Sequence, residues 1–299
     1  MPPVPVVATL VAAPQSFEIS DALIARAAQA LPRVARPERL AEGAADLFFL
    51  SDEAEAARVK DRLAATLAGE AIDVIVQPSA GRRKRLLLAD MDSTLIEQEC
   101  IDELAARAGL GSRVAAITER AMRGEIAFEP ALRERVALLA GLPETVIGEV
   151  IKARITLSPG ARVLAQTMRR AGAYAALVSG GFTQFTGVIA ERLGLDEHRA
   201  NRLIVENGVL TGKAAEPILG ADAKLAALRD LAARRGLSLG ETLAIGDGAN
   251  DLAMLSEAGL GVAYRAKPAV AAAAHARIDH ADLTALLYAQ GYRREEFAA

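Results

Sequence analysis

The pattern of apolar and polar positions changes its period several times along this chain. Short apolar runs bounded by turn-forming residues predict β-strands, and apolar residues at every third or fourth position predict amphipathic helices. Strands are predicted at 4–11, 46–50, 71–76, 85–89, 174–178, 201–206, 209–211, 242–245, 260–263 and 276–279, with a further short strand at 36–40. Helices are predicted at 20–30, 51–68, 146–155, 161–171, 183–193 and 221–235, and helical periodicity extends from 101 to 141. Alternating strands and helices indicate an α/β fold.

The same alternation divides the chain into three parts. Residues 1–80 predict a small α/β unit, which is closed by a linker of turn-forming residues at 77–81. Residues 81–96 and 158–299 predict a doubly wound, mostly parallel sheet. Residues 97–157 show helical periodicity and no strand pattern. We expect this helical insert to cover the carboxyl edge of the sheet as a cap, where it would exclude water from a reaction.

Composition narrows the function classes. The chain has 299 residues, of which 52% are hydrophobic, and its formal net charge is −3 with both signs mixed. Neither a nucleic-acid nor a membrane partner is indicated, and no apolar run is long enough for a transmembrane helix. The single cysteine excludes an intrachain disulfide, and the three histidines stand at no metal-ligand spacing. We therefore expect a cytoplasmic protein, and we interpret the basic run at 82–85 as a solvated approach to a strand.

Two carboxylates, Asp90 and Asp92, appear where the apolar run at 85–89 ends. Ligands bind at the carboxyl ends of the strands in open α/β sheets. Of two neighbouring carboxylates, one can attack a substrate or hold a metal while the other transfers protons. Asp and Ser are also common in ordinary turns, so this motif alone does not decide between a functional site and a turn.

Polar groups also follow two other predicted strands. Ser-Gly-Gly at 179–181 follows one, Gly-Asp-Gly-Ala-Asn-Asp at 246–251 follows the other, and Lys224 lies in the first turn of a predicted helix. Taken separately, these are a glycine turn, a loop of turn formers and a surface lysine. Parallel topology, however, brings the strand ends to one edge of the sheet. Their joint occurrence in this order predicts a phosphate-binding site.

Each of these groups has a chemistry suited to a phosphate. Asp90 and Asp247 offer the hard oxygen ligands that Mg²⁺ prefers, with room for water and a phosphate oxygen. Ser179 can donate its hydroxyl, and the two backbone amides that follow it are expected to open a helix and to bind an anion. Lys224 adds a compact positive charge.

Together these motifs resemble the haloacid dehalogenase superfamily of phosphotransferases, over about residues 85–290. The resemblance implies a Mg²⁺-dependent reaction through an aspartyl-phosphate. It assigns Asp90 as the nucleophile, Asp92 as the general acid and base, and Lys224 as the catalytic cation. It further implies metal ligation by Asp90, Asp247 and the backbone carbonyl of Asp92, substrate contacts from Ser179, Gly180, Lys224 and Asn250, and support of the metal shell by Asp251.

Within that superfamily, the insert is similar to that of the phosphoserine phosphatases. A Glu after the first motif, a Met-x-Gly and a Phe-x-x-x-Leu-x-x-Arg match at Glu99, Met122, Gly124, Phe128 and Arg135. The resemblance implies that Glu99 binds the ammonium and Arg135 the carboxylate of O-phospho-L-serine, while Met122 and Phe128 wall the pocket. On spacing alone, the simpler interpretation of Glu99 and Arg135 is a solvated helix with surface ion pairs. The family match favours substrate recognition instead. The implied reaction releases L-serine and phosphate, the last step of serine biosynthesis.

Other functions stay open at this point. The same chemistry could act on another small phosphomonoester or transfer the phosphoryl group to an alcohol such as homoserine. A second class is an amino-acid-sensing regulatory protein that keeps the fold as a scaffold, although the intact set of Asp90, Asp92, Lys224 and Asp247 argues against it. A homodimer is also left open.

Residues 1–80 resemble the small regulatory ACT domain, more weakly than the rest of the chain resembles its family. Such domains usually carry a Gly-containing turn after the first strand, which lets backbone amides approach an amino-acid ligand. The matching segment at 12–18 has no glycine, and Pro14 removes an amide donor. We therefore expect this unit mainly to pack against a second copy or the catalytic part, with serine sensing as the less favoured role.

Overall fold

The computed structural model describes residues 3–14, 18–32, 37–122 and 125–299, except for the side chains of Glu53, Ala54, Ala57 and Met122. Three expectations fall partly or wholly outside these residues. They are the pocket wall at Met122, the Gly124 of the Met-x-Gly motif and part of the segment at 12–18. These three stay predictions.

The amino-terminal unit is a small antiparallel α/β domain. Its described elements are β1 (Val4–Ala12), α1 (Asp21–Gln29), β2 (Glu38–Ala41), β3 (Ala44–Ser51), α2 (Glu53–Thr66) and β4 (Ile72–Pro78), with strand order β2-β3-β1-β4. Both helices begin at side-chain caps, because Ser20 Oγ accepts from the Leu23 N–H at 3.2 Å and Asp52 Oδ1 from the Glu55 N–H at 2.8 Å. Apolar side chains such as Leu47 are fully buried between sheet and helices.

The rest of the chain is built on a parallel sheet. Its elements are β5 (Leu86–Ala89), α3 (Cys100–Arg107), α4 (Gly111–Met122), α5 (Phe128–Ala137), α6 (Thr145–Ala153), α7 (Ala161–Arg170), β6 (Tyr174–Phe182), α8 (Thr183–Leu193), β7 (Glu197–Asn201), β8 (Leu203–Glu206), β9 (Val209–Ala214), α9 (Ala221–Arg234), β10 (Thr242–Gly246), α10 (Leu252–Glu257), β11 (Leu260–Tyr264), α11 (Pro268–Ala273), β12 (Ala276–Ile278) and α12 (Ala285–Ala289). The sheet order is β12-β11-β10-β5-β6-β7, every pair is parallel, and β8 and β9 form a separate hairpin. This confirms the predicted α/β fold. In the described part of the chain, no helix is both long and apolar enough to cross a membrane.

Two strand predictions are corrected. The predicted strand at 201–206 is divided, because β7 ends at Asn201 and belongs to the sheet, whereas β8 begins at Leu203 and belongs to the hairpin. The pattern does not predict β7 because its sequence, Glu-His-Arg-Ala-Asn, is polar. A polar strand is tolerated at this position since it lies at the edge of the sheet. In addition, β4 extends through Pro78, so the predicted linker at 77–81 begins inside a strand.

Helices α3 to α6 form the insert between β5 and α7. The chain enters and leaves the insert at Ile96 and Leu157, which form an antiparallel bridge. The apolar faces of these helices, including Leu104, Leu132 and Ile147, are buried in the same core cluster as one face of the parallel sheet. The insert is therefore packed on the parallel sheet rather than held away from it.

The amino-terminal unit is docked against the end of the sheet next to β12. The buried carboxylate of Asp73, on β4, accepts hydrogen bonds from the backbone N–H groups of Asp279, His280 and Ala281 at 2.8, 3.1 and 2.7 Å. Gln77 Nε2 donates to the Ala289 carbonyl at 2.7 Å. These contacts bind the two units through buried polar groups as well as apolar surface.

The basic run at 82–85 is solvated at Arg83 and Arg85 but not at Arg82 and Lys84. Arg82 Nη1 donates to Asp46 Oδ2 at 2.7 Å, and the Asp46 side chain is fully buried. Lys84 is also buried, and its Nζ donates to the carbonyls of Gly81 and Gly240 at 3.0 and 2.8 Å. The interpretation is wrong at these two positions because the segment lies between the two units, where its charges find partners from both.

Candidate active site

The ends of three adjacent strands form the candidate site. β10, β5 and β6 are neighbours in the parallel sheet, so the residues that follow them meet at its carboxyl edge. The Asp90 N–H donates to the Ile245 carbonyl at 2.9 Å, which extends the pairing of β5 with β10 into the loop. Asp90, Ser179 and Asp247 therefore share one edge, as the sequence predicts.

Lys224, from the first turn of α9, lies buried between two carboxylates. Its Nζ is 2.8 Å from Asp90 Oδ2 and 2.7 Å from Asp251 Oδ1, and 1% of its side chain is exposed. Burial by itself would lower the pKa of Lys224, but the two carboxylates outweigh it and raise that pKa. Lys224 is therefore a fixed cation rather than the ordinary surface lysine of the alternative interpretation.

Asp90, Asp247 and Asp251 form an acidic cluster, in which one carboxylate oxygen of each residue lies within 4.8 Å of the others. Lys224 compensates only part of this negative charge. Burial, followed by repulsion from Asp251, raises the pKa of Asp247 to about 6. Burial also raises the pKa of Asp90, despite the opposing effect of Lys224. A buried, oxygen-rich site with surplus negative charge fits a hard divalent cation.

The loop that follows β10 fixes the orientation of the Asp251 carboxylate. Asp251 Oδ2 accepts a hydrogen bond from the Gly248 N–H at 3.0 Å, while its other oxygen pairs with Lys224. A Cβ added at Gly246 would stand 2.3 Å from Asp251 Cγ, so only glycine permits this approach. Asn250 is half-buried and turns its Oδ1 towards Gly248, where an added Cβ would stand 2.3 Å from that oxygen.

Two neighbouring hydroxyl groups that the sequence reasoning does not single out contact the insert and the acidic cluster, one each. Ser93 Oγ donates to Glu99 Oε1 at 2.7 Å, and Thr94 Oγ1 donates to Asp247 Oδ1 at 3.3 Å. Ser93 has a positive φ of 54°, a left-handed conformation that is uncommon for residues other than glycine. The signal available in the sequence is only that both residues lie inside the Asp-Met-Asp-Ser-Thr motif.

Asp92 turns its carboxylate between the insert and the Ser-Gly-Gly segment. Oδ1 accepts the N–H of Cys100, the first residue of α3, at 3.0 Å. A Cβ added at Gly181 would stand 2.9 Å from Asp92 Oδ2 and 3.1 Å from Ser179 Oγ, which places the second oxygen beside the Ser-Gly-Gly segment. Burial raises the pKa of Asp92, and hydrogen bonds from Cys100 oppose that rise.

The Ser-Gly-Gly segment lies at the end of a strand, not in the first turn of a helix as expected. β6 continues to Phe182 with a register shift after Val178, and α8 begins only at Thr183. Ser179 is buried, and its Oγ accepts the Gly181 N–H at 2.9 Å. The Gly180 carbonyl accepts from Asn201 Nδ2 at 2.8 Å, so a buried amide from β7, which the sequence reasoning misses, fixes this backbone.

Phe128, at the start of α5, brings the insert against this segment. A Cβ added at Gly180 would stand 3.0 Å from the Phe128 ring, and one at Gly220 would stand 3.7 Å from it. A side chain at 180 would have to shift the ring slightly, so glycine suits this close contact. The insert therefore covers the carboxyl edge of the sheet, as expected of a cap.

Glu99 and Arg135 both belong to the insert, Glu99 directly before α3 and Arg135 in α5. Glu99 is an exposed residue, but the protein around its carboxylate removes part of the solvent from that group. This desolvation, followed by repulsion from Asp92, raises the pKa of Glu99 to about 7. Arg135 is half-buried, donates from Nε to the Ala131 carbonyl at 3.3 Å, and lies close enough to Glu99 to interact electrostatically with it. The two predicted recognition charges are thus brought together.

Residues 87–256 match the family model of the haloacid dehalogenase-like hydrolases. The chain belongs to this family. Over 294 residues it is 42% identical to the phosphoserine phosphatase of Streptomyces coelicolor, an alignment that covers 97% of this chain and 72% of that relative.

Solved structures of the haloacid dehalogenase family share this fold. A haloacid dehalogenase family hydrolase, t0658, from Salmonella enterica serovar Typhi superposes with a TM-score of 0.84 at 30% identity, covering 95% of this chain and 98% of that one. Such coverage includes the amino-terminal unit. A phospho-aspartyl intermediate analogue of phosphoserine phosphatase superposes with a TM-score of 0.64 at 43% identity, covering 69% of this chain and 98% of that one.

Proposed function

We propose that this chain is a Mg²⁺-dependent phosphoserine phosphatase, which hydrolyses O-phospho-L-serine to L-serine and phosphate. The observation that carries the proposal is the buried pairing of Asp90 with Lys224, beside Asp92 and the acidic cluster, at one edge of the sheet. The 42% identity to a phosphoserine phosphatase supports the substrate. The phospho-aspartyl analogue in a 43% identical structure supports a covalent route.

Asp90 is the proposed nucleophile. Its Oδ1 accepts the Met91 N–H at 2.8 Å and its Oδ2 pairs with Lys224, so the carboxylate is held in one orientation. Attack by a carboxylate oxygen on phosphorus forms an aspartyl-phosphate as the bond from phosphorus to the seryl oxygen breaks. Lys224 offsets the repulsion between the carboxylate and the phosphate dianion, so it acts through positioning and electrostatics.

Asp92 is the proposed proton carrier. In the first half-reaction it donates a proton to the departing seryl oxygen, and in the second it accepts one from the water that hydrolyses the aspartyl-phosphate. Hydrolysis thereby restores Asp90 as a carboxylate and Asp92 as the protonated acid. The location of Asp92 Oδ2 beside Gly181 and Ser179 supports this role, because Ser179 is one of the proposed phosphate contacts.

Asp90, Asp247 and the backbone carbonyl of Asp92 are the proposed ligands of Mg²⁺. When bound, the cation would neutralise charge on the phosphate and its reaction intermediates. Asp251 is the proposed support of this shell, since its two oxygens are engaged by Lys224 and the Gly248 N–H. The surplus negative charge of the cluster supports a divalent cation.

Recognition of the amino-acid part is assigned to the cap. Glu99 would bind the ammonium and Arg135 the carboxylate, since a planar guanidinium matches a carboxylate well. Phe128 and Met122 would wall the pocket. The phosphate and the adjoining ester would contact the following residues: Ser179, Gly180, Lys224 and Asn250.

We also propose that the domains are 1–80, 81–96 with 158–299, and the cap 97–157. The bridge between Ile96 and Leu157 supports the cap boundaries, and the Asp73 contacts support packing as the main role of the amino-terminal unit. The single, buried cysteine supports a reducing, cytoplasmic location.

Phosphate release from a panel of esters in the presence of Mg²⁺ tests the function. The panel contains O-phospho-L-serine, other small phosphomonoesters and p-nitrophenyl phosphate, and parallel reactions add homoserine as an alternative acceptor. We expect kcat/KM for phosphoserine to exceed that of the other biological esters by about 100-fold. Equal rates across the panel would contradict this substrate, and phosphorylated homoserine as the main product would identify a transferase.

A further inference from the structure

We propose that Cys100 is a positioning residue that orients the Asp92 carboxylate for proton transfer, an inference that rests on the proposed function. Cys100 contacts no reacting atom. It acts through Asp92, by holding one carboxylate oxygen so that the other faces the phosphate segment.

The start of α3 explains why Cys100 has a donor to offer. Cys100 is the first helical residue, and the N–H groups of a first turn have no partner within their own helix. The preceding Glu99 makes no side-chain cap, because its carboxylate accepts from Ser93 instead. The Cys100 N–H is therefore available, and it donates to Asp92 Oδ1 at 3.0 Å.

The Cys100 side chain adds to this anchor. It is fully buried and lies against the same carboxylate, where it acts, like the backbone N–H, to lower the pKa of Asp92. Backbone and side chain of one residue thus contact Asp92 together. A buried thiol that faces a catalytic carboxylate is not explained by apolar packing alone.

The anchor makes the two oxygens of Asp92 unequal. Oδ1 already accepts the Cys100 N–H, so a proton on the carboxyl group is favoured on Oδ2. Oδ2 is the oxygen beside Gly181 and Ser179. The proton that a leaving seryl oxygen needs is therefore held on the side where the phosphate contacts lie. Because Cys100 belongs to the cap, this orientation also depends on α3 being seated against the sheet.

Proline at position 100 provides a selective test. Proline is well tolerated as the first residue of a helix, and it has no N–H. The backbone of Glu99, with φ −96° and ψ 111°, already suits a residue that precedes proline. Cys100→Pro therefore removes the N–H with little expected damage to α3, and the proline ring, which takes the place of that hydrogen, also pushes Asp92 Oδ1 away. Cys100→Ala removes only the thiol, and Cys100→Ser keeps a side-chain donor.

Leaving groups of different basicity separate positioning from a general structural effect. The seryl oxygen needs a proton to depart, whereas p-nitrophenolate departs without one. With phosphoserine, we expect Cys100→Pro to lower kcat by roughly 30-fold with KM within about twofold. In the pre-steady-state burst with p-nitrophenyl phosphate, the same variant should stay within about threefold of wild type. Cys100→Ala should lose about threefold on phosphoserine only, and Cys100→Ser should recover most of that loss.

Equal losses on both esters in Cys100→Pro would overturn the proposal, as would an unchanged kcat on phosphoserine. If Cys100→Pro does not fold, the comparison of Cys100→Ala with Cys100→Ser decides. If these two variants have the same activity as each other on each ester, the role is refuted. If the wild-type protein hydrolyses both esters, the proposed function holds whatever the Cys100 variants show, so the two claims are tested separately. A wild-type protein that hydrolyses neither would overturn both together.

Discussion

Replacing Asp73 by Asn is expected to loosen the amino-terminal unit from the parallel sheet. The two carboxylate oxygens of Asp73 accept the backbone N–H groups of three successive residues, 279 to 281. Asparagine has nearly the same shape but presents an NH₂ group in place of one oxygen. At least one buried backbone donor would then lose its acceptor and face a second donor.

The expected magnitude follows from these contacts. A hydrogen bond to a charged group contributes about 1.5–3 kcal/mol. Burial raises the pKa of Asp73 although the backbone hydrogen bonds lower it, so desolvation cancels part of the gain. One acceptor also survives in asparagine. We therefore expect Asp73→Asn to lower the free energy of unfolding by about 2–3 kcal/mol rather than by the sum of three charged hydrogen bonds.

Urea unfolding followed by circular dichroism measures this difference. Asp21→Asn is the matched control, because Asp21 lies in the same unit with 94% of its side chain exposed and pairs with Arg39 at the surface. The control should change the free energy of unfolding by less than about 0.5 kcal/mol. Asp73→Asn should lower the midpoint and separate the unfolding of the two units. Identical midpoints for the two variants would refute the reasoning.

Three further expectations follow. Asp90→Asn should abolish turnover with an unchanged circular dichroism spectrum, since an amide is not a nucleophile here; more than about a tenth of the wild-type rate, roughly 1.4 kcal/mol of barrier, would contradict this. Arg135→Ala should reduce kcat/KM for phosphoserine by a factor that corresponds to about 2–4 kcal/mol, and it should change kcat/KM for p-nitrophenyl phosphate much less. Equal losses on the two substrates would contradict a recognition role. Burial acts to raise the pKa of Glu197, but hydrogen bonds from Arg199 and Arg234 lower it to about 2. A folded-state pKa below that of the unfolded chain stabilises above about pH 4.5, and this gain is lost as pH falls towards 2. Because the pair is partly solvated, Glu197→Gln should lower the free energy of unfolding by about 1 kcal/mol at pH 7, a difference that should shrink between about pH 5 and pH 3 in urea titrations.

The sequence predicts the central strands and the site at their ends for one physical reason. Buried parallel strands are short apolar runs, so a polar motif directly after one of them marks the carboxyl edge of the sheet. The apolar pattern does not predict β7, because this strand is polar and lies at the edge of the sheet. Ser179 is placed correctly, but the helix after it begins later than expected because β6 continues through the glycines.

Contacts between distant residues limit what the sequence can show. Asp73 looks like an ordinary polar position in a strand, since the backbone groups that it binds lie more than 200 residues away in the chain. Arg82 and Lys84 resemble a solvated basic run for the same reason. Cys100 and Asn201 carry no motif of their own. Their importance depends on which carboxylate or carbonyl the fold places beside them, and local pattern does not contain that information.

Trapping of the covalent intermediate tests the central claim most directly. The enzyme is mixed with O-phospho-L-serine and Mg²⁺ and quenched in acid within the first turnover. Borohydride then converts an aspartyl-phosphate into a reduced residue that peptide mass spectrometry locates. We expect the reduced residue at position 90, absent without substrate and absent in Asp90→Asn. If the substrate is hydrolysed rapidly but the reduced residue lies at another position, Asp90 is not the nucleophile. The absence of any reduced residue throughout the first turnover would contradict the assignment equally.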